Sequence, residues 1–174
     1  MSSMNNSMPR RTAWFAVIVV GIPLCAQAPA PPESASLTVT GDIPATLQFT
    51  AADLAQLPRE TVTITEQSGS KVEYAGVLLR EVLIKAGAPM GSTLRGKALA
   101  SYVLASARDG YQVVFTLAEL DPMLGGEHIL VADQRDQKAL PATQGPLRLV
   151  CPLDKEGARS VRMLEKLEIV RLRK

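Results

Sequence analysis

The chain has 174 residues, 47% of them hydrophobic and 21% charged, with an aromatic share of only 4%. That length suits one domain with a real core, built mostly of Leu, Val, Ile and Ala, and excludes two. The 19 basic residues exceed the 17 acidic ones only through Arg10 and Arg11, so the rest of the chain is neutral and gives no basis for a nucleic-acid partner.

Those two arginines begin the first recognisable segment. They precede "TAWFAVIVVGIPLCAQA", an uncharged stretch with an apolar centre, closed by Ala26-Gln27-Ala28. A basic start, a short apolar run and a small-x-small site read as a secretory signal peptide over residues 1–28. The apolar centre, Ala13 to Cys25, is shorter than the ~20 residues of a membrane span, so no membrane association is expected beyond this segment. Pro29 favours a later cut, near Ala35, and an uncleaved anchor is the alternative. The paired arginines are compatible with twin-arginine export as well as the general route. The mature protein is expected in the periplasm or secreted. "APAPPESAS" then supplies a Pro/Ala/Ser linker over 29–36, and residues 37–174 form the domain.

In the domain, "SLTVTGD" and "ATLQFT" predict two strands around a Gly-Asp-Ile-Pro turn. In "TAADLAQLP", Thr50 is a good N-cap, Asp53 sits at the third helical position and Pro58 stops a short helix. "ETVTITEQ" is a strand with Val62 and Ile64 on one face, and "KVEYAG" is its expected neighbour. "GVLLREVLIKAGAP" predicts a helix. Val77, Leu78, Val82, Leu83 and Ala86 form its apolar stripe, and Gly87 ends it. "ASYVLASARDGYQVVFTLAEL" predicts a hairpin around Asp109-Gly110, then a short helix capped by Thr116. "EHILVADQRDQKALP" adds a strand and a turn. "GPLRLVCP" and "LEKLEIVRLR" are the last strands, joined by a loop with one helical turn. Many short strands and two or three small helices, without regular strand–helix–strand alternation, predict an α+β fold rather than a parallel α/β sheet.

Few residues offer chemistry. His128 is the one histidine, and it reads as a half-exposed residue at a strand end. Once the signal segment is removed, Cys151 is the one cysteine, in the apolar run "LRLVCP", where it reads as an inert core residue. One His and one Cys cannot fill a zinc site, and no Cys-x-x-Cys-His haem motif is present. Carboxylates such as Glu66 and Asp109 cannot be paired from sequence. Arg148 points away from the Leu147/Leu149 face of its strand. The loop after Pro152 carries Lys155, Gly157 and Arg159. A loop of that kind can hold an anion through backbone N–H groups and charge, or can simply be solvated.

The ordered series "LTVTGDI", "FTAADLAQLP", "TVTITEQ", "YAGVLLREVLIKAGAP", "ARDGYQVVFTLAEL", "ILVADQRDQKALPATQGPLRLVCP" and "GARSVRMLEKLEIV" covers nearly all of residues 37–172. It resembles the molybdopterin-binding domain of the sulfite oxidase-type oxidoreductases in a short stand-alone form. The resemblance implies a mixed α+β fold around a deep pocket for a pterin dithiolene with molybdenum. It also implies oxidoreductase activity on small oxyanions or sulfoxides. In catalytic members the strand matching "TVTITEQ" ends in a cysteine whose thiolate binds the metal. Here the matching position is Ser68 or a near neighbour, a hard oxygen in place of soft sulfur. Of the basic residues that follow in those relatives, Lys71 alone remains.

Three readings follow. In one, the domain keeps the fold but not the standard molybdenum chemistry, and binds a small anion or an exported partner protein. In another, it is a periplasmic molybdopterin-dependent oxidoreductase. Ser68 then lies at the metal, and Lys71, Arg148, Lys155 and Arg159 hold the pterin phosphate or an anionic substrate. In the third, it is a structural periplasmic domain.

Overall fold

The computed structural model describes residues 35–66 and 68–172, so the segment read as a signal peptide and all but the end of the linker lie outside the described residues. Among the described residues, ten strands and three short α-helices follow one another, with short 3-10 segments between them.

The chain begins with a hairpin, β1 (Ser36–Gly41) and β2 (Leu47–Thr50). Gly41 has φ 102°, and a Cβ there would stand 2.0 Å from the Ile169 carbonyl oxygen, so only glycine suits this crossing. Helix α1 (Ala51–Ala55) starts on Thr50 as expected. The Thr50 Oγ1 accepts from the Asp53 N–H at 3.2 Å, and the Asp53 carboxylate accepts from the Thr50 N–H at 2.8 Å. This reciprocal pair satisfies two N–H groups that a helix start leaves open.

Strands β3 (Arg59–Thr65) and β4 (Lys71–Leu78) form the next hairpin. Val77 and Leu78, expected in the following helix, belong to β4, and α2 runs only over Leu79–Lys85. The reason is tertiary. Val77 and Leu78 pair with Val131 and Leu130 of β7 (Leu130–Arg135), which outweighs their helical spacing. Leu79, Val82 and Leu83 of α2 are fully buried, at about 2 kcal/mol of transfer free energy each. Gly87, at φ 84°, follows the last helical turn.

Strands β5 (Ser101–Ala107) and β6 (Gln112–Thr116) pair around Asp109-Gly110, and Thr116 caps α3 (Leu117–Leu120). The chain finishes with β7, the two-residue β8 (Lys138–Ala139), β9 (Arg148–Val150) and β10 (Leu164–Arg171). The β7–β8 turn places both Asp136 and Gln137 at positive φ, the twist-matched geometry of a two-residue hairpin loop.

The strands form two five-stranded sheets. The first has the order β2-β1-β10-β5-β6, in which β10 runs parallel to β1 and antiparallel to β5. The second has the order β3-β4-β7-β8, with β9 also paired to β7. The main core holds Leu37, Val39, Val103, Phe115, Leu167 and Ile169 from the first sheet, and Val77, Val131 and Leu149 from the second. A smaller cluster of Val72, Tyr74, Leu78, Leu130, Ala132 and Val150 comes from alternate residues of the second sheet, and therefore from its other face. Arg148, two residues from Val150 on β9, shares that second face. Among the described residues no helix is long and apolar enough to cross a membrane.

Candidate functional site

A cavity of about 1090 Å³ opens beside this second face. The end of β3 (Thr63 to Thr65), Glu66 just after it, the turn residue Ser68, and Arg135 at the end of β7 form part of its wall. Gln144, Arg148, Cys151, Pro152 and the segment from Asp154 to Ala158 form another, with Ser160 and Arg162.

The deepest charged group is Arg148, only 6% exposed. Burial, with repulsion from Arg162, holds its guanidinium below the ordinary arginine value, and the negative end of Tyr74 works the other way. Its Nη1 donates to Gln144 Oε1 at 2.7 Å and to the Tyr74 hydroxyl at 2.8 Å. Both partners are neutral. Nε is buried without a hydrogen-bond partner, and Nη2 makes no hydrogen bond with any described residue. The guanidinium is thus pinned through Nη1 by two neutral groups, and no carboxylate of the described residues bonds to it, so an anion entering the cavity would meet an uncompensated charged donor.

Tyr74 organises the floor. It is fully buried on β4, and burial pushes its phenol above the ordinary value. Its single proton lies between Glu66 Oε1 at 3.3 Å and Gln144 Oε1 at 3.4 Å. Guanidinium carbons of Arg148 and Arg135 lie 5.0 and 5.9 Å from its ring centre, within cation–π range. Arg135 is already paired: its Nη2 donates to Glu66 Oε2 at 3.1 Å. Glu66 therefore ties the end of β3 to the floor through both carboxylate oxygens.

The other expected residues divide. Ser68 lines the cavity, but as an exposed residue of the β3–β4 turn, where its Oγ accepts only a long 3.4 Å bond from the Ser70 N–H. That turn is an ordinary hairpin connection, closed by Glu66 N–H to Ser70 O at 2.9 Å and by Gly69 at φ 81°. Lys155 lines the cavity and is exposed. Lys71, at the start of β4, is exposed and is not part of the lining. Arg159 is not part of it either. It binds Asp154 at 2.7 and 2.9 Å, Glu119 at 3.1 Å and Glu127 at 3.4 Å, and lies 5.3 Å from the Phe115 ring centre. The Asp154 bonds raise its pKa further, and the Glu119 bond holds the cavity loop against α3. His128 lies elsewhere, its Nδ1 3.6 Å from Glu60.

Cys151 is buried, as its apolar run indicates, yet its edge reaches the cavity wall. Its backbone N–H donates to Ser160 Oγ at 3.1 Å, and burial pushes its thiol up to about 12. Glu66, Tyr74, Arg135, Gln144 and Arg162 were not singled out as site residues from sequence. The one available signal was Tyr74, an aromatic on the inward face of an alternating strand.

The family model for the oxidoreductase molybdopterin binding domain matches residues 25–174. The chain belongs to this family. Its fold, a mixed-sheet α+β arrangement, is similar to that of the sulfane dehydrogenase SoxCD from Paracoccus pantotrophus, with a TM-score of 0.60 and 23% sequence identity. The similarity covers 77% of this chain and 37% of the SoxCD chain, so the domain spans little more than a third of that relative. No curated protein sequence matches the chain.

The family's cofactor sets a chemical test for these residues. The Arg148 guanidinium, on the cavity wall with only neutral hydrogen-bond partners, suits an anionic group such as a pterin phosphate. The metal end does not fit. The one thiol of the lining among the described residues, Cys151, is buried with its backbone N–H bonded to Ser160, Glu66 is committed to Arg135 and Tyr74, and Ser68 sits on an exposed turn. Among the described residues, no three His, Cys, Asp or Glu side chains gather as a metal set.

Proposed function

We propose that this family member is an exported anion-binding domain whose cavity takes an organic ligand through a phosphate or carboxylate seated on Arg148. In this reading it does not run the thiolate-ligated molybdenum chemistry of catalytic relatives. The observation that carries it is the buried guanidinium of Arg148, which lines the cavity, is pinned by two neutral partners and bonds to no carboxylate of the described residues. A charge that deep is costly unless something compensates it, and a bound anion would do so. The cavity's about 1090 Å³ is cofactor-sized, far larger than a bare oxyanion needs. Arg162 and Lys155 add positive charge at the wall. Export is supported by the pattern of Arg10, Arg11 and Ala26-Gln27-Ala28.

A second reading, a molybdopterin oxidoreductase with Ser68 near the metal, is favoured by Ser68 lining the same cavity. Elemental analysis and thermal melting of protein purified from its exported compartment separate the two. The expected result is molybdenum well below one atom per chain and a melting temperature raised by phenyl phosphate. Molybdenum near one atom per chain would overturn the first reading in favour of the second.

A further inference from the structure

Glu66 has a place in the cavity that the anion-binding reading does not by itself explain. The wall carries four cations, Arg135, Arg148, Lys155 and Arg162, and three carboxylates, Glu66, Asp154 and Glu156. Asp154 is turned to Arg159, outside the lining. Glu66 engages the floor, with Oε2 3.1 Å from Arg135 Nη2 and Oε1 3.3 Å from the Tyr74 hydroxyl. Arg135 and Arg148 share the Tyr74 ring and repel each other. Arg135 Nε also lies 3.6 Å from Asp136, outside the lining, but without Glu66 the Arg135 Nη2 would lose its cavity-side carboxylate and the floor would present two adjacent guanidinium groups, a seat for two neighbouring anionic groups. With it, the Arg135 half is filled from within and only the Arg148 guanidinium is left without a carboxylate partner among the described residues.

We propose that Glu66 is the specificity-determining residue of the cavity, an internal counter-ion that restricts the site to organic ligands with a single phosphate or carboxylate. This rests on the anion-binding reading and deepens it by naming the ligand class. The carboxylate is covalently tethered to β3, so an incoming second anionic group must displace it or lie beside it against like-charge repulsion. A ligand with one anionic group meets only Arg148 and leaves the Glu66–Arg135 pair intact.

The test is calorimetric titration of wild type and Glu66→Gln with phenyl phosphate and with pyrophosphate. Wild type should bind phenyl phosphate and discriminate against pyrophosphate. In Glu66→Gln, pyrophosphate should bind about tenfold tighter or more, the size expected of one freed charge-assisted contact. Phenyl phosphate should change by less than about threefold. Adding Arg135→Gln should abolish the gain. If pyrophosphate affinity is unchanged in Glu66→Gln while wild type binds phenyl phosphate, the role of Glu66 is refuted and the cavity reading stands. If wild type binds neither probe, the cavity reading itself fails. Should Glu66→Gln not fold, Arg135→Gln alone carries the test. It releases Glu66 to compete for Arg148, and phenyl phosphate affinity should fall about tenfold. Unchanged affinity there would refute the proposal.

Discussion

Arg148→Met separates a binding role from a structural one. The side chain is 6% exposed and makes two hydrogen bonds from one nitrogen, to the Tyr74 hydroxyl and Gln144 Oε1. Methionine keeps the length and apolar stem and removes the charge. The partners are not orphaned, since the Tyr74 hydroxyl still has Gln144 at 3.4 Å and Glu66 at 3.3 Å. Two lost charge-assisted bonds are offset by relief of an uncompensated buried cation. The ligand-free variant should therefore stay within about 1 kcal/mol of wild type. Ligand should divide them clearly. At a hundred times its Kd, an anion binding only the folded state stabilises wild type by about 2.7 kcal/mol. For a domain of this size that is a rise of about 9 °C in melting temperature. Arg148→Met should show almost none of it. Paired thermal melts with and without phenyl phosphate are the assay. A ligand-free loss above about 3 kcal/mol would make Arg148 a structural residue. An undiminished ligand shift in the variant would place the anion elsewhere.

Three further predictions concern what holds the cavity in shape. Cys151 has a thiol pushed up to about 12, so it is neutral in the folded protein while the unfolded thiol ionises near its ordinary value. Its contribution is full below about pH 9 and is lost as pH rises from there towards 12. Between pH 8 and 10, urea melts should show wild type losing about 1.5 kcal/mol more than Cys151→Ala, and parallel curves would refute this. Arg159→Met leaves Asp154, Glu119 and Glu127 facing one another and frees the cavity loop from α3. With the groups partly exposed, the expected cost is about 1–2 kcal/mol, with several-fold weaker phenyl phosphate binding by calorimetry. Unchanged affinity would show that the loop is held without Arg159. In Gly76→Ala, the new Cβ would lie 2.1 Å from the Val131 carbonyl oxygen where β4 crosses β7. Urea denaturation should show a loss above about 3 kcal/mol, and a loss under about 1 kcal/mol would refute the close pairing.

Local chemistry was legible in the chain itself. Thr50 and Asp53 cap α1, Asp109-Gly110 turns the β5–β6 hairpin, and Gly87 follows α2, because each depends on residues within a turn of one another. The ordered series of strands and helices also carried the family. Boundaries set at a distance were not legible. Val77 and Leu78 have helical spacing, yet their pairing with β7, more than fifty residues away, makes them strand.

The site followed the same division. From the order of residues came an α+β domain, a basic loop, an oxygen where a thiolate was expected, and Arg148 turned from the Leu147/Leu149 face. Folding decided what those groups do. Arg148 faces Tyr74, 74 positions distant, and is buried rather than solvated, while Arg159 is consumed by three carboxylates. Glu66, unpaired in the sequence, meets Arg135 across 69 positions. A side chain's charge is written in its residue type. Whether that charge is free for a ligand depends on the counter-ions and neutral partners that only the folded chain brings within hydrogen-bonding distance.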